Sequence, residues 1–250
     1  MTSPPIRSGS RRELLASVAV TSLLASASEA GARGYSGSLP FRTYSADPPR
    51  PVLPGAWVFF TQDEAVAVEA IVDRLVPADD LSVGGKEAGC AVFIDRQLAG
   101  PYGHSSRLYT QGPFLPGLPT QGYQGEMNPA QRYRAGLAAI DAHLKREKGR
   151  GFAALPAVEQ DAFLTRLEKG EVTLPPGSGG AQGFFNLVLQ NTMEGFFSDP
   201  VYGGNRGMAS WRMLGFPGTR YDYRDWVSKH NQRYPLPPVS IMGAPEWSAR

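Results

Sequence analysis

The sequence predicts an all-α fold: a single irregular helical domain of about five to seven helices with long ordered loops, preceded by a signal peptide. Three observations predict it. Apolar residues recur at helical spacing in several segments bounded by capping residues and breakers, whereas no run of alternating residues with hairpin turns is present. With 250 residues, 42% hydrophobic and 19% charged, the chain can bury one sizeable core. Its 29 glycines and 22 prolines exceed what an idealised bundle uses, so helices must alternate with long irregular segments.

The first thirty residues read as an address. Arg7, Arg11 and Arg12 precede a weakly apolar run over 14–27, and Ala25, Ala27, Ser28 and Ala30 suit a signal peptidase. Ser10-Arg11-Arg12-Glu13-Leu14-Leu15 fits the twin-arginine export pattern, with Arg11, Arg12, Leu14 and Leu15 as the export signal. An ordinary secretory signal that contains an Arg-Arg pair is the alternative. The run is interrupted by Ser17, Thr21, Ser22 and Ser26, and it is shorter than the roughly 20 apolar residues a membrane span needs. The chain then divides into a flexible leader over 31–57, a helical domain over 58–234 and a Pro-rich tail over 235–250.

Helical code begins at Thr61-Gln62-Asp63-Glu64, a capping-box spelling, and Val68, Ile71, Val72 and Leu75 follow on one face until Pro77. A second helix is expected over Lys86 to Leu98, burying Cys90, Phe93, Ile94 and Leu98 before Gly100-Pro101. Asn128-Pro129 opens the strongest helix, with Asn as cap and Pro in the first turn. Its stripe is Tyr133, Leu137, Ile140 and Leu144, and it ends near Gly149. Arg132, Arg134, Asp141, Lys145 and Arg146 read as its solvated face. Leu155 to Leu167 is amphipathic, with Phe163, Leu164 and Leu167 inward and Glu159, Asp161 and Arg166 outward. Gln182 to Phe197 is the most apolar helix, greasy on more than one side, and must be central or covered by another protein. A short helix over Asn205 to Leu214 completes the set.

Two non-periodic stretches draw attention. Residues 101–127 carry Tyr102, Tyr109, Phe114, Leu115, Leu118 and Tyr123 among Pro, Gly and Gln, too aromatic for a disordered tail, so an ordered loop is expected. Within Met193 to Asn205, Pro200 removes a backbone donor and pushes Asp199 out of the α region, ending the helix near Ser198. Gly203-Gly204-Asn205 can then take positive φ, and Asn205 can cap the next helix. Tyr202, Arg206, Trp211, Arg212, Tyr221, Tyr223 and Trp226 follow, residue types that dominate protein interfaces, although each can equally cap the domain's own core.

Equipment for independent chemistry is sparse. Gly177-Ser178-Gly179-Gly180-Ala181-Gln182 lacks the third glycine of a dinucleotide fingerprint and follows Pro175-Pro176 rather than a strand. No Walker loop, serine elbow, paired-histidine zinc helix or haem-attachment run is present. Cys90, the single cysteine, reads as a small core residue, and His104, His143 and His230 are far apart in sequence. Glu194, Asp199, Asp222 and Asp225 read as structural: Asp199 accepting from turn amides, Asp222 and Asp225 pairing with Arg220 or Arg224. A net charge of +2 leaves no electrostatic footprint for nucleic acid.

The stretch Met193-Glu194-Gly195-Phe196-Phe197-Ser198-Asp199-Pro200-Val201-Tyr202-Gly203-Gly204-Asn205 closely resembles the signature of the gluconate 2-dehydrogenase subunit 3 family. Gly100-Pro101-Tyr102-Gly103-His104, Gln111-Gly112-Pro113-Phe114 and Gln121-Gly122-Tyr123-Gln124 are similar to it as well. The resemblance runs from about Thr61 to Trp226. It implies a small subunit without catalytic residues or cofactor of its own. Such subunits accompany a large flavoprotein of the glucose-methanol-choline type, which carries FAD, and often a multihaem cytochrome c subunit that holds haem c. The small subunit supplies the signal read by the twin-arginine translocase, and the complex works in the periplasm at the inner-membrane face. The expected partner-binding residues are Tyr102, Tyr109, Phe114, Tyr123, Phe196, Phe197, Asp199, Tyr202, Asn205, Arg206, Trp211, Tyr221, Tyr223 and Trp226. A self-sufficient periplasmic hydrolase and an independent ligand-binding or structural protein are the rival readings.

Overall fold

The computed structural model describes residues 51–52, 55–115, 117–220 and 222–243. The export-signal residues Arg11, Arg12, Leu14 and Leu15, and Tyr221 of the aromatic cluster, lie outside the described residues. Among those described there are six α-helices and no strand: α1 Gln62–Leu75, α2 Cys90–Ala99, α3 Pro129–Lys148, α4 Ala157–Glu168, α5 Gly180–Phe197 and α6 Ala209–Leu214. Short 3-10 turns and irregular chain fill the intervals, as the glycine and proline content requires. None of the described helices is long and apolar enough to cross a membrane.

Helix starts follow their capping code. Thr61 Oγ1 accepts from Glu64 N at 3.3 Å while the Glu64 carboxylate accepts from Thr61 N at 2.8 Å, so two otherwise orphaned donors are satisfied reciprocally at the head of α1. Asn128 and Gln131 form the same reciprocal pair at the head of α3, both bonds 2.9 Å, and Gly149 closes that helix at a φ of 71°. By contrast α2 begins at Cys90, four residues after the expected start at Lys86. Residues 86–89 are a turn because Gly89 takes a φ of 83°, and Cys90 N donates back to Gly85 O at 3.0 Å.

Helix α5 lies at the centre, touching each of the other five helices. Phe184, Phe185, Val188 and Phe196 are buried, so its apolar surround is met by this chain's own helices; Met193 is its large apolar side chain left exposed. Helix α3 packs on it through Tyr133, whose ring meets Phe184 edge-on at 5.7 Å. Leu137, Ile140 and Leu144 continue that stripe into the core. Helix α4 contributes Phe163, Leu164 and Leu167, and Arg74 of α1 clamps Asp161 of α4 with two bonds of 2.7 Å.

The charged face of α3 differs from the expectation. Lys145 and Asp141 form a solvent-exposed pair at 2.7 Å, but Arg132 is buried and Arg134 is drawn inward. Arg134 binds Glu64 and the Phe59 carbonyl, and its guanidinium stacks 4.1 Å from the Phe59 ring. Asp95 is a second departure, since this helical carboxylate is wholly buried. It accepts from Val58 N, Phe59 N and Phe60 N at 2.9 Å each and pairs with Arg96, pinning the segment that leads into α1.

The expected helix over Asn205 to Leu214 is shorter than its code. Gly207 and Met208 take φ of 62° and 57°, so regular α-helix starts only at Ala209. Beyond α6 the chain folds back: Gly218 and Val239 form an isolated parallel bridge, and Ser240 and Ile241 dock on Asp199.

Candidate functional site

Two regions hold the residues singled out in the sequence: the loop from Gly100 to Met127 and the turn from Ser198 to Trp226. Helices α2 and α3 carry the ends of the loop, and α5 supplies the polar post that holds it. Asn191 on α5 is buried, and its side chain meets Tyr133 Oη at 3.0 Å, Tyr102 Oη at 3.0 Å and Glu194 Oε2 at 3.0 Å. Burial pushes the Tyr102 and Tyr133 hydroxyl pKa values above the ordinary phenol value, so both remain donors at any physiological pH.

The far end of the loop is held differently. Tyr123 Oη donates to Gly177 O at 2.7 Å, and the Arg132 guanidinium stacks 4.0 Å from the Tyr123 ring. Arg132 in turn donates from Nε to Ser178 O at 3.1 Å and from Nη2 to Gly183 O at 3.0 Å. Between these two anchors the loop presents apolar side chains to solvent: Tyr109 is 85% exposed and Leu115 68%, with Leu108, Phe114 and Leu118 also exposed. The loop encloses a hollow of about 740 Å³ lined by Tyr109, Phe114, Leu115, Tyr123 and Arg132 among others.

The signature turn is built from polar contacts that the sequence only partly announces. Asp199 Oδ1 accepts from Val201 N at 3.0 Å, as expected of a turn carboxylate, but the same group accepts from Ser240 Oγ at 2.7 Å and Ile241 N at 2.6 Å. Asn205, with a φ of 43°, is fully buried. Its Nδ2 donates to Ser198 O at 2.9 Å, while Oδ1 accepts from Ser210 N at 3.0 Å and Ser210 Oγ at 2.8 Å. It therefore caps α6 through Ser210, five residues along the chain, rather than capping an adjacent helix. Of Gly203-Gly204-Asn205, the outer two take positive φ, whereas Gly204 is needed for close approach: a Cβ there would sit 2.1 Å from Gly195 O.

The described partner-binding candidates thus separate into three groups. Phe196, Asn205 and Trp211 are buried within this chain; Trp211 Nε1 donates to Phe197 O at 3.0 Å, and its ring meets Phe216 at 5.2 Å. Phe197, Asp199, Tyr223 and Trp226 are half-buried, the last two against Tyr234. Tyr102, Tyr109, Phe114, Tyr123, Tyr202 and Arg206 reach solvent. The loop and the turn also meet through α5, since Tyr102 bonds Asn191 and Trp211 bonds Phe197 on the same helix.

Elsewhere the titratable groups do structural work. Burial pushes the Cys90 thiol up to about 12, so it stays protonated and inert. His143 bonds Glu147 at 2.9 Å one turn along α3, and Arg166 holds the Glu147 carboxyl below its ordinary range. Arg224 clamps Asp222 and holds it down at about 2. Among the described residues, no group of three or more His, Cys, Asp and Glu could hold a metal ion.

These features define a class: a helical domain that displays a propped aromatic loop beside a polar, glycine-dependent turn. A family model described as Gluconate 2-dehydrogenase subunit 3 matches residues 62–218, and the chain belongs to that family. The match spans α1 to α6, the whole of the loop and the turn as far as Gly218. No curated protein and no solved structure matches the chain.

Proposed function

We propose that the chain is the non-catalytic small subunit of a periplasmic, FAD-dependent gluconate 2-dehydrogenase-type complex. It supplies the twin-arginine signal through Arg11 and Arg12 and stabilises a folded glucose-methanol-choline-type flavoprotein during export and maturation. The flavin belongs to that partner, and a multihaem cytochrome c subunit takes the electrons onward. Binding rather than bond-breaking is the work of this chain.

The observation that carries this reading is the loop of residues 101–127. Its exposed apolar side chains are held in place by buried anchors, Asn191 at one end and Arg132 at the other. Several large apolar side chains exposed on one loop cost solubility and are characteristic of association sites. Prior ordering lowers the entropy lost on docking. Tyrosine, phenylalanine and leucine at the exposed crest match the aromatic and aliphatic anchors of protein interfaces.

A pull-down of the mature chain co-expressed with a candidate glucose-methanol-choline-type flavoprotein tests it directly. Flavin absorption bands are expected in the material retained. Glycoside hydrolysis by the purified chain alone, with no flavoprotein retained, would replace the proposal by the hydrolase reading.

A further inference from the structure

Arg132 is a cation in an unusual setting. It is only 7% exposed, and two of its nitrogens are spent on neutral carbonyls, those of Ser178 and Gly183. Its Nη1 makes no hydrogen bond among the described residues, and no carboxylate there forms an ion pair with the group. Burying a guanidinium without a counter-charge is costly, and burial lowers its pKa below the ordinary arginine value. Arg132 lines the 740 Å³ hollow of the loop, whose rim carries Tyr109, Phe114 and Leu115.

The backbone donors at the head of the helix beside the hollow are already engaged. Helix α3 begins at the hollow, yet Gln131 N is taken by Asn128 Oδ1 and Ala130 N donates to Gly103 O at 3.1 Å. Glu126 also lines the hollow, but it is exposed and makes no ion pair with Arg132. Arg132 is thus the single cation among the described residues that line a recess also bordered by Tyr109, Phe114 and Leu115, with its Nη1 left to donate.

We propose that this recess receives an aspartate or glutamate from a segment of the partner subunit, its carboxylate bonded to Arg132 and its apolar neighbours packed on Tyr109, Phe114 and Leu115. The inference rests on the docking reading above and adds the chemistry of what docks. A carboxylate supplies the missing counter-charge and accepts a charge-assisted bond from Nη1. A small inorganic anion would satisfy the charge but leave the rim's apolar surface wet, so a polypeptide segment fits both halves of the site.

The test measures affinity between the mature chain and the purified flavoprotein. Arg132→Gln keeps an amide donor for the carbonyls and removes the charge; it should weaken the complex by about 30-fold or more, as truncation of a desolvated charge partner does. The pair Tyr109→Ala and Leu115→Ala alters the rim alone and should weaken binding without lowering the melting temperature. Asp→Asn and Glu→Gln changes across the flavoprotein are then combined with R132Q in double-mutant cycles, and one acidic position should lose its effect once the charge is gone. Should R132Q be unfolded, the same scan is read against Arg132→Lys, whose unforked ammonium should shift that one position.

The outcomes separate the two claims. Wild-type affinity in R132Q, with weakened binding in the rim variants, overturns the acidic clasp and leaves docking by the loop intact. Wild-type affinity in all of them, or no complex with the wild-type chain, overturns both. Weak binding by R132Q with no coupled acidic position assigns the loss to loop structure and also overturns the clasp.

Discussion

Asn205 shows how much one side chain can hold. All three of its bonds, to Ser198 O, Ser210 N and Ser210 Oγ, are made in a site without solvent access, and its φ of 43° is one that few residues other than Gly, Asn and Asp adopt readily. Asn205→Ala would leave those groups unpaired, each at about 1–3 kcal/mol, so a destabilisation of about 3 kcal/mol or more is expected in urea titration. A loss under 1 kcal/mol would mean that water replaces the amide and that the residue is not the tie between α5 and α6. Asp95 plays the same part at the other end of the core, accepting three consecutive amides that would otherwise be orphaned at the entry to α1.

At the scale of elements, contacts between helices decide what single-helix preferences cannot. Gly136 on α3 lies against the Phe184 ring of α5, and a Cβ there would come within 2.3 Å of that ring. Alanine is the better helix former by about 1 kcal/mol, but overpacking against this buried ring costs about 1–3 kcal/mol. Gly136→Ala should therefore lower stability, whereas Gly183→Ala on α5, whose Cβ would meet only Arg132 Nη2 at 3.8 Å, should raise it by up to about 1 kcal/mol. Thermal melts of the two variants moving in the same direction would refute the packing argument.

The link between α1 and α4 depends on pH with a definite sign. Arg74 holds the Asp161 carboxyl below its ordinary range, and Arg166 does the same for Glu147. A carboxylate depressed in the folded state contributes stability above its unfolded pKa, near 4, and loses it as pH falls through the lower folded value. Stability should thus decline below about pH 4, and Arg74→Gln should make that decline shallower by removing the contribution of Asp161. Equal acid sensitivity in both proteins would show that the pair is solvent-screened to irrelevance.

For the whole molecule, the division of surfaces matters most. The core is complete without help, since α5 finds covering helices on its several sides. The apolar excess lies instead in the 101–127 loop and around Leu214, Phe216 and Leu236. If this surface carries a folded partner through the twin-arginine route, Arg11→Lys with Arg12→Lys should abolish periplasmic dehydrogenase activity while the cytoplasm still holds the flavin-loaded partner. Undiminished periplasmic activity in that variant would end the carrier reading.

The linear code determined where most helices lie, because capping boxes at Thr61 and Asn128, breakers at Pro77 and Gly149, and apolar stripes act over one or two turns. It also marked the loop and the turn, through aromatic, glycine and proline content and through their family signature. Some features had faint signals. Asp95 sits beside Ile94 and three residues before Leu98, and Arg132 sits four before Gly136, so both border buried faces. Polar letters at such places read as solvated until their partners are known. Only the tertiary structure decided that Asp95 meets amides some 35 residues away, that Arg132 props Tyr123, and that Trp211 and Phe196 belong to the core while Tyr109 does not. Those outcomes rest on contacts between segments distant in the chain. Helical periodicity reports which face is apolar, but what covers that face is set by the other helices.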